Sequence, residues 1–198
     1  MPDGSITKII IMLVCLAFSA FFSASETAFT SANHTKLKNL SADGNKRASL
    51  VLKMLENYNK LLSTILVGNN IVNISIASIG TVLFVKVVGD MGATVSTVVV
   101  TVAVLIFGEI TPKTMATIKA EKMALSYAHI IHFLMIIFTP ISVIVNTLSR
   151  GILFLLGVDP NAKLNIMTEN ELRTIVDVSH EDGVIEEEEK EMIYNVFD

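Results

Sequence analysis

Gly108-Glu109-Ile110-Thr111-Pro112-Lys113 is the stretch on which the reading turns. It follows an uncharged, largely apolar run from Ala93 to Phe107. A carboxylate at the end of such a run is costly in hydrocarbon, and residues of this kind usually face a bundle interior or an ion path. Pro112 has no N–H, so in a helix it leaves the carbonyl four residues back, that of Gly108, without its usual partner. Gly108 has no side chain to block approach to that oxygen. Two hard oxygens at a helix break, at membrane depth, predict a cation site. The plainer alternative is a helix end at the membrane surface with Glu109 in water.

Outward from this stretch, composition settles the class. The mean hydropathy is +0.60 and only 17 % of the 198 residues are charged, as expected of an integral membrane protein. The expected fold is all-α. The formal charge of −4 hides an asymmetry, with acids crowded from Glu169 to Asp198 and the bases mainly in two earlier polar segments. The single Cys15 excludes an internal disulfide and a cysteine metal site. Trp is absent, which leaves Tyr, Lys and Arg as interface anchors. The first apolar run continues past Ser23 to Ala32 without a clear cleavage site, so it reads as a retained helix rather than a signal peptide.

Three crossing helices are expected, at 6–33, 61–88 and 93–111, the third broken at Gly108–Pro112. On the first, Ser19, Ser23, Glu26 and Thr30 share a face, and Ala20, Ala24, Ala28 and Ala32 form a neighbouring row of small residues suited to close packing. Taken one by one, these serines read as packing residues bonded to their own i−4 carbonyls. The second helix carries Gly68, Asn69, Asn70, Asn73, Ser75 and Ser78. Asn69 and Asn73 share a face and Asn70 lies about 100° round from Asn69. Amides at this depth need partners, either other helices or an ion. The segment 34–60, with Lys36, Lys38, Lys46, Arg47, Lys53 and Lys60, reads as one or two surface helices with a turn at Ala42-Asp43-Gly44-Asn45. Its charge, and that of Lys113, Lys119 and Lys122, place both segments inside and the N-terminus outside. The two glycosylation patterns, at Asn33 and Asn73, then lie on the inner side and in the membrane, where neither is used.

The stretch 123–158, with Pro140 near its middle, reads either as one kinked helix or as two helices that enter and return. His129 and His132 are spaced for a metal, but no third ligand is in view, and interfacial roles fit better. Composition changes at Asp159–Pro160, dividing a membrane domain, 1–158, from a soluble acidic helical bundle, 159–198. Thr168 and Glu171 predict a capping box, Asp182–Gly183 a break between two amphipathic helices. Glu186, Glu187, Glu188 and Glu189 form a solvated face that is also a candidate divalent-cation sensor. No nucleophile elbow or HExxH pattern occurs, so no enzyme is expected, and nothing points to nucleic acid.

Three motifs now join. Phe22-Ser23-Ala24-Ser25-Glu26-Thr27-Ala28 resembles an "FSASETA" signature, Gly68-Asn69 with Asn73 a "GN…N" signature, and the opening stretch "GEI-P-K". With the acidic tail, they resemble the CorB/CorC/CNNM family of magnesium transporters and its DUF21 membrane domain, over essentially the whole chain. The resemblance implies Mg²⁺ export with Na⁺ coupling proposed, a homodimer in the bilayer, and a juxtamembrane belt of helices around Pro140 on the cytoplasmic side. It implies an ion site at Ser23, Asn69, Gly108 and Glu109, with Ser19, Asn70 and Asn73 as second-line candidates and Pro112 as the helix break. It also implies a CBS pair that binds Mg-ATP beyond Asp198, so no organic cofactor is expected here. Two rival readings are a non-transporting Mg²⁺ sensor and a carrier whose main cargo is Na⁺.

Overall fold

The computed structural model describes residues 3–157 and 169–197. Among them there are only helices. They fall into two units, Met1–Ser149 and Arg150–Asp198. The 158/159 boundary and the expected cap at Thr168 lie outside the described residues.

In the first unit, helix α1 spans Asp3–Ser31. Two short helices follow, α2 (His34–Ala42) and α3 (Lys46–Glu56). Asn33 caps α2 by accepting from the Lys36 N–H, and Asn45 caps α3 by accepting from those of Arg47 and Ala48. The turn between them is possible because Gly44 takes a φ of 87°. Helix α4 runs from Tyr58 to Val88. A single 3₁₀ turn, Gly89–Met91, reverses the chain into α5, Gly92–Ala103. A Cβ on Gly92 would run into the backbone of Phe84 and Val85, so this hairpin closes only around a glycine.

The third apolar arm does not end where a break was expected. Its ladder passes into a π-helical segment, Val104–Ile110, and resumes as α6, Thr111–Ile118, with Pro112 in the first turn. Thr111 accordingly donates its N–H to the carbonyl of Ile106, five residues back. Proline, which cannot serve as donor, sits where the register changes. Helix α7 covers Ala120–Ile137 and α8 Thr139–Leu155. Pro140 thus starts a helix, as its missing N–H allows. Of the two readings of 123–158, the structure has two helices and no single kinked one.

Helix α1 is the hub: α4, the π segment, α6 and α7 all pack on it. Ala24 and Ala28 of its small-residue row are fully buried, letting neighbours approach closely. Phe22 lies over Gly68, where a Cβ would strike its ring. The core holds Phe29, Leu37, Val51, Met54, Leu61, Ile65 and Ile131, toward the lysine-rich end. Away from it, Ile6, Ile10, Leu13 and Phe18 of α1, Ile74 of α4 and Val98 of α5 are exposed. Among the described residues three stretches are long and apolar enough to cross a membrane, Gly4–Ser31, Tyr58–Ile118 and Ala120–Ile137. The second is 61 residues long and doubles back at Gly89, so α4 and α5–α6 form its two limbs. An apolar exterior on such helices is that of a protein solvated by lipid.

The second unit contains α9 (Glu169–Glu181) and α10 (Glu187–Phe197), joined at Gly183, whose φ is 71°. Lys190 bonds Asp177 at 2.8 Å and lies 5.8 Å from the Tyr194 ring centre, over which Arg173 also sits at 4.9 Å. The Lys190 hydrogen bond holds Asp177 below the usual 3.8, and the reciprocal bond holds Lys190 above 10.5. A lowered acid stabilises the fold above its unfolded value and loses that contribution as pH falls through the folded one; a raised base loses it as pH climbs through its own. Amide protection in α9 and α10, corrected for intrinsic exchange, is therefore expected to be flat at neutral pH, to weaken as pH falls past the usual carboxylate value of 3.8, and to weaken as pH rises past the usual lysine value of 10.5. Constant protection across that range would remove this pair from the hairpin's stability.

Candidate functional site

Elements α1, α4 and the π segment converge on Ser19. Its side chain is fully buried. Its hydroxyl donates to Asn73 Oδ1 at 2.7 Å and has Asn69 Oδ1 at 3.4 Å. From the other side Gly108 presses on it, since a Cβ there would stand 2.8 Å from Ser19 Oγ. One turn of α1 further on, Ser23 is also buried, and its Oγ has no hydrogen-bond partner. Many helical hydroxyls here bond the carbonyl four residues back, as Ser25 does to Phe21 and Ser78 to Ile74. The reading of Ser19 and Ser23 as packing residues bonded to their own i−4 carbonyls therefore fails for both, although Ser25 beside them bonds in that way. Leaving a buried hydroxyl unpaired costs about 1–3 kcal/mol.

Three residues past Ser23, Glu26 meets Lys113 of α6 at 3.2 Å, and Lys113 also reaches Glu109 Oε1 at 3.3 Å. Glu109 is 38 % exposed and points toward this cluster beside α1. At a rise of about 1.5 Å per residue, Ser23 sits roughly 6 Å along α1 from Ser19 and 4.5 Å from Glu26. Gly108 touches the first of these neighbours; Glu109, through Lys113, touches the second. The orphan hydroxyl is thus bracketed by amide oxygens on one side and carboxylates on the other.

Of the sequence candidates, Ser19, Asn69, Asn73 and Gly108 are brought together, with Ser23 and Glu109 adjacent along the same interface. Asn70 is exposed and stands apart. Sequence reasoning gave Lys113 a place in the motif and a part in sidedness but no side-chain partner, although its i+4 spacing from Glu109 is a legible signal. It also passed over Ser96, which is buried without a partner against Gly80. His129 is exposed, and His132 lines a separate groove with Lys53, Asn57 and Lys60. Among the described residues no three His, Cys, Asp or Glu side chains are grouped to hold a metal. Within Glu186–Glu189, Glu189 caps α10 by accepting the Glu186 N–H at 3.0 Å, and Glu187 bonds His180 at 2.8 Å.

Comparison with known proteins adds a family. The Cyclin M transmembrane N-terminal domain (CNNM) matches residues 10–189. A "UPF0053 protein" of Haemophilus influenzae is 37 % identical over 192 residues, 97 % of this chain and 46 % of that protein. The "UPF0053 inner membrane protein YfjD" of Escherichia coli is 33 % identical over 181 residues, 91 % of this chain and 42 % of its own. A "Polyamine export protein" of Salmonella typhimurium is 27 % identical over 206 residues, 98 % and 46 % respectively. The chain therefore spans less than half the length of these relatives.

Proposed function

This chain belongs to the Cyclin M transmembrane N-terminal domain family, and from that premise we propose that it is the membrane part of a divalent-cation transporter whose cargo is Mg²⁺. The observation that carries the proposal is the buried, unpartnered hydroxyl of Ser23 between the Ser19–Asn73–Asn69 oxygens and the Glu109 carboxylate. Mg²⁺ takes about six oxygens in octahedral array and gives up water reluctantly. Two hydroxyls, two amide oxygens, the Gly108 carbonyl and one carboxylate are of the right kind. With a single anionic ligand, site plus ion keeps a net positive charge. Binding is then modest, which suits a carrier that must release its cargo.

In this reading the protein is a carrier and not an enzyme. It works as a homodimer, with its N-terminus outside and its lysine-rich helices α2 and α3 in the cytoplasm. The ion is exported, in exchange for Na⁺, and a Mg-ATP-binding CBS pair would act from beyond Asp198. A second reading, with a polyamine as cargo, has its own support. Glu26 and Glu109 already hold an ammonium group, that of Lys113, and two relatives carry the name of polyamine exporters. Flux from proteoliposomes in which Mg²⁺, Na⁺ and spermidine gradients are set independently separates these cases. Mg²⁺ efflux that quickens with an opposed Na⁺ gradient is the expected result. Spermidine flux without Mg²⁺ flux selects the second reading, and Mg²⁺ binding without any flux makes the protein a sensor.

A further inference from the structure

Lys113 has three features that its place in a basic segment does not explain. Its ammonium bridges two helices, to Glu26 Oε2 on α1 at 3.2 Å and to Glu109 Oε1 at 3.3 Å. It follows directly on Pro112, at the register change that ends the π segment. And it is half-buried, its side chain 35 % exposed, with Glu26 at 27 %. One ammonium among two carboxylates leaves a single net negative charge. The carboxylate expected to ligate the cargo is thus already occupied by a cation of the protein's own.

An ammonium and a dication cannot both sit on one carboxylate oxygen, because their repulsion in a partly desolvated site is large. We propose that Lys113 is a tethered counter-cation: it occupies Glu26 and Glu109 when cargo is absent and is displaced when Mg²⁺ takes Glu109. This inference rests on the Mg²⁺ reading above. It gives Lys113 two effects. The carboxylates are never left facing each other unpaired. Cargo must also outcompete an ammonium of high local concentration, which a dication does far better than a monovalent ion such as Na⁺. Lys113 is then a specificity-determining residue, acting by competition rather than by contact with the ion.

The test is Mg²⁺ titration of the full chain in nanodiscs, by calorimetry, for the wild type, Lys113→Ala and Lys113→Gln. Removing the competitor is expected to tighten Mg²⁺ binding by roughly fivefold or more, the low end of the range for thermodynamically linked binding events. It should also narrow the preference for Mg²⁺ over Na⁺. Adding methylammonium, which restores the missing group, should weaken Mg²⁺ binding to Lys113→Ala back toward the wild-type value while leaving the wild type unchanged. A merely structural lysine would give neither the tightening nor this reversal. Should the variants fold poorly, the wild type itself answers: Mg²⁺ should speed reductive methylation of Lys113 relative to Lys60, because the displaced amine loses its carboxylates. Equal or weaker Mg²⁺ binding in both variants, or labelling indifferent to Mg²⁺, overturns the inference alone. A wild type that binds no Mg²⁺ overturns the parent reading with it.

Discussion

Glu109→Gln is expected to keep its fold and its oligomeric state and to lose Mg²⁺ flux by about 100-fold. Glu109 is 38 % exposed, and glutamine matches its shape, so no new buried group goes unsatisfied. What disappears is the one formal charge among the candidate ligands. A charged hydrogen-bonding or ion contact in a partly desolvated site is worth about 3 kcal/mol, and each 1.4 kcal/mol is tenfold, which gives the two orders of magnitude. A Mg²⁺-sensitive dye inside proteoliposomes reads the flux, and size-exclusion chromatography reads the assembly. Wild-type flux in a well-folded Glu109→Gln protein would take this residue out of the ion path.

Gly108→Ala tests the same site without touching charge. The added methyl would stand 2.8 Å from Ser19 Oγ, 3.3 Å from Ser19 Cβ and 3.4 Å from Leu16 Cδ1. Ser19 is fully buried and already committed to Asn73, so it has no free rotamer to retreat into. Either α1 and the π segment move apart or the Ser19–Asn73 bond breaks. Overpacking of this kind costs about 1–3 kcal/mol, or roughly 2–12 °C in Tm at this chain length. Flux should fall with it, because the amide and hydroxyl oxygens lose their common focus. Gly151→Ala is the control: nothing lies within 4 Å of a Cβ there, and alanine favours the helix. A Gly108→Ala protein as stable and active as the control would show that α1 and the third arm are not packed as described.

The helices were legible because apolar runs of the right length leave a membrane chain few alternatives. Asn45 and Gly44 marked the α2–α3 turn by their own backbone chemistry. The candidate site was legible in part. Periodicity put Ser19, Ser23 and Glu26 on one face and separated Asn70 from Asn69 and Asn73, and the structure leaves Asn70 exposed. Periodicity gives angles about one axis, however, and not the axial register between two helices. That register rests on close approaches at Gly68 and Gly108, which let Ser19 rather than Ser23 meet the α4 amides. The π segment was hidden for a related reason. Pro112 announced that the ladder must change, but whether it breaks or shifts by one residue depends on what the freed helix can lean on. Here α1 supports both sides of the change, and the helix continues.

Residues 104–110 hold one more residue than an α-helical ladder of the same hydrogen-bond count would. Every side chain after them is consequently phased about 100° away from where an unbroken α-helix would put it. That offset is what lets Gly108 address Ser19 while Lys113, only five positions later, addresses Glu26 on the same helix. The polypeptide has in effect a built-in vernier. Relaxing the bulge into ordinary α-helix would swing the lysine off its acid and turn the third arm against α1 by a fixed step, without any hinge and without unwinding a single turn.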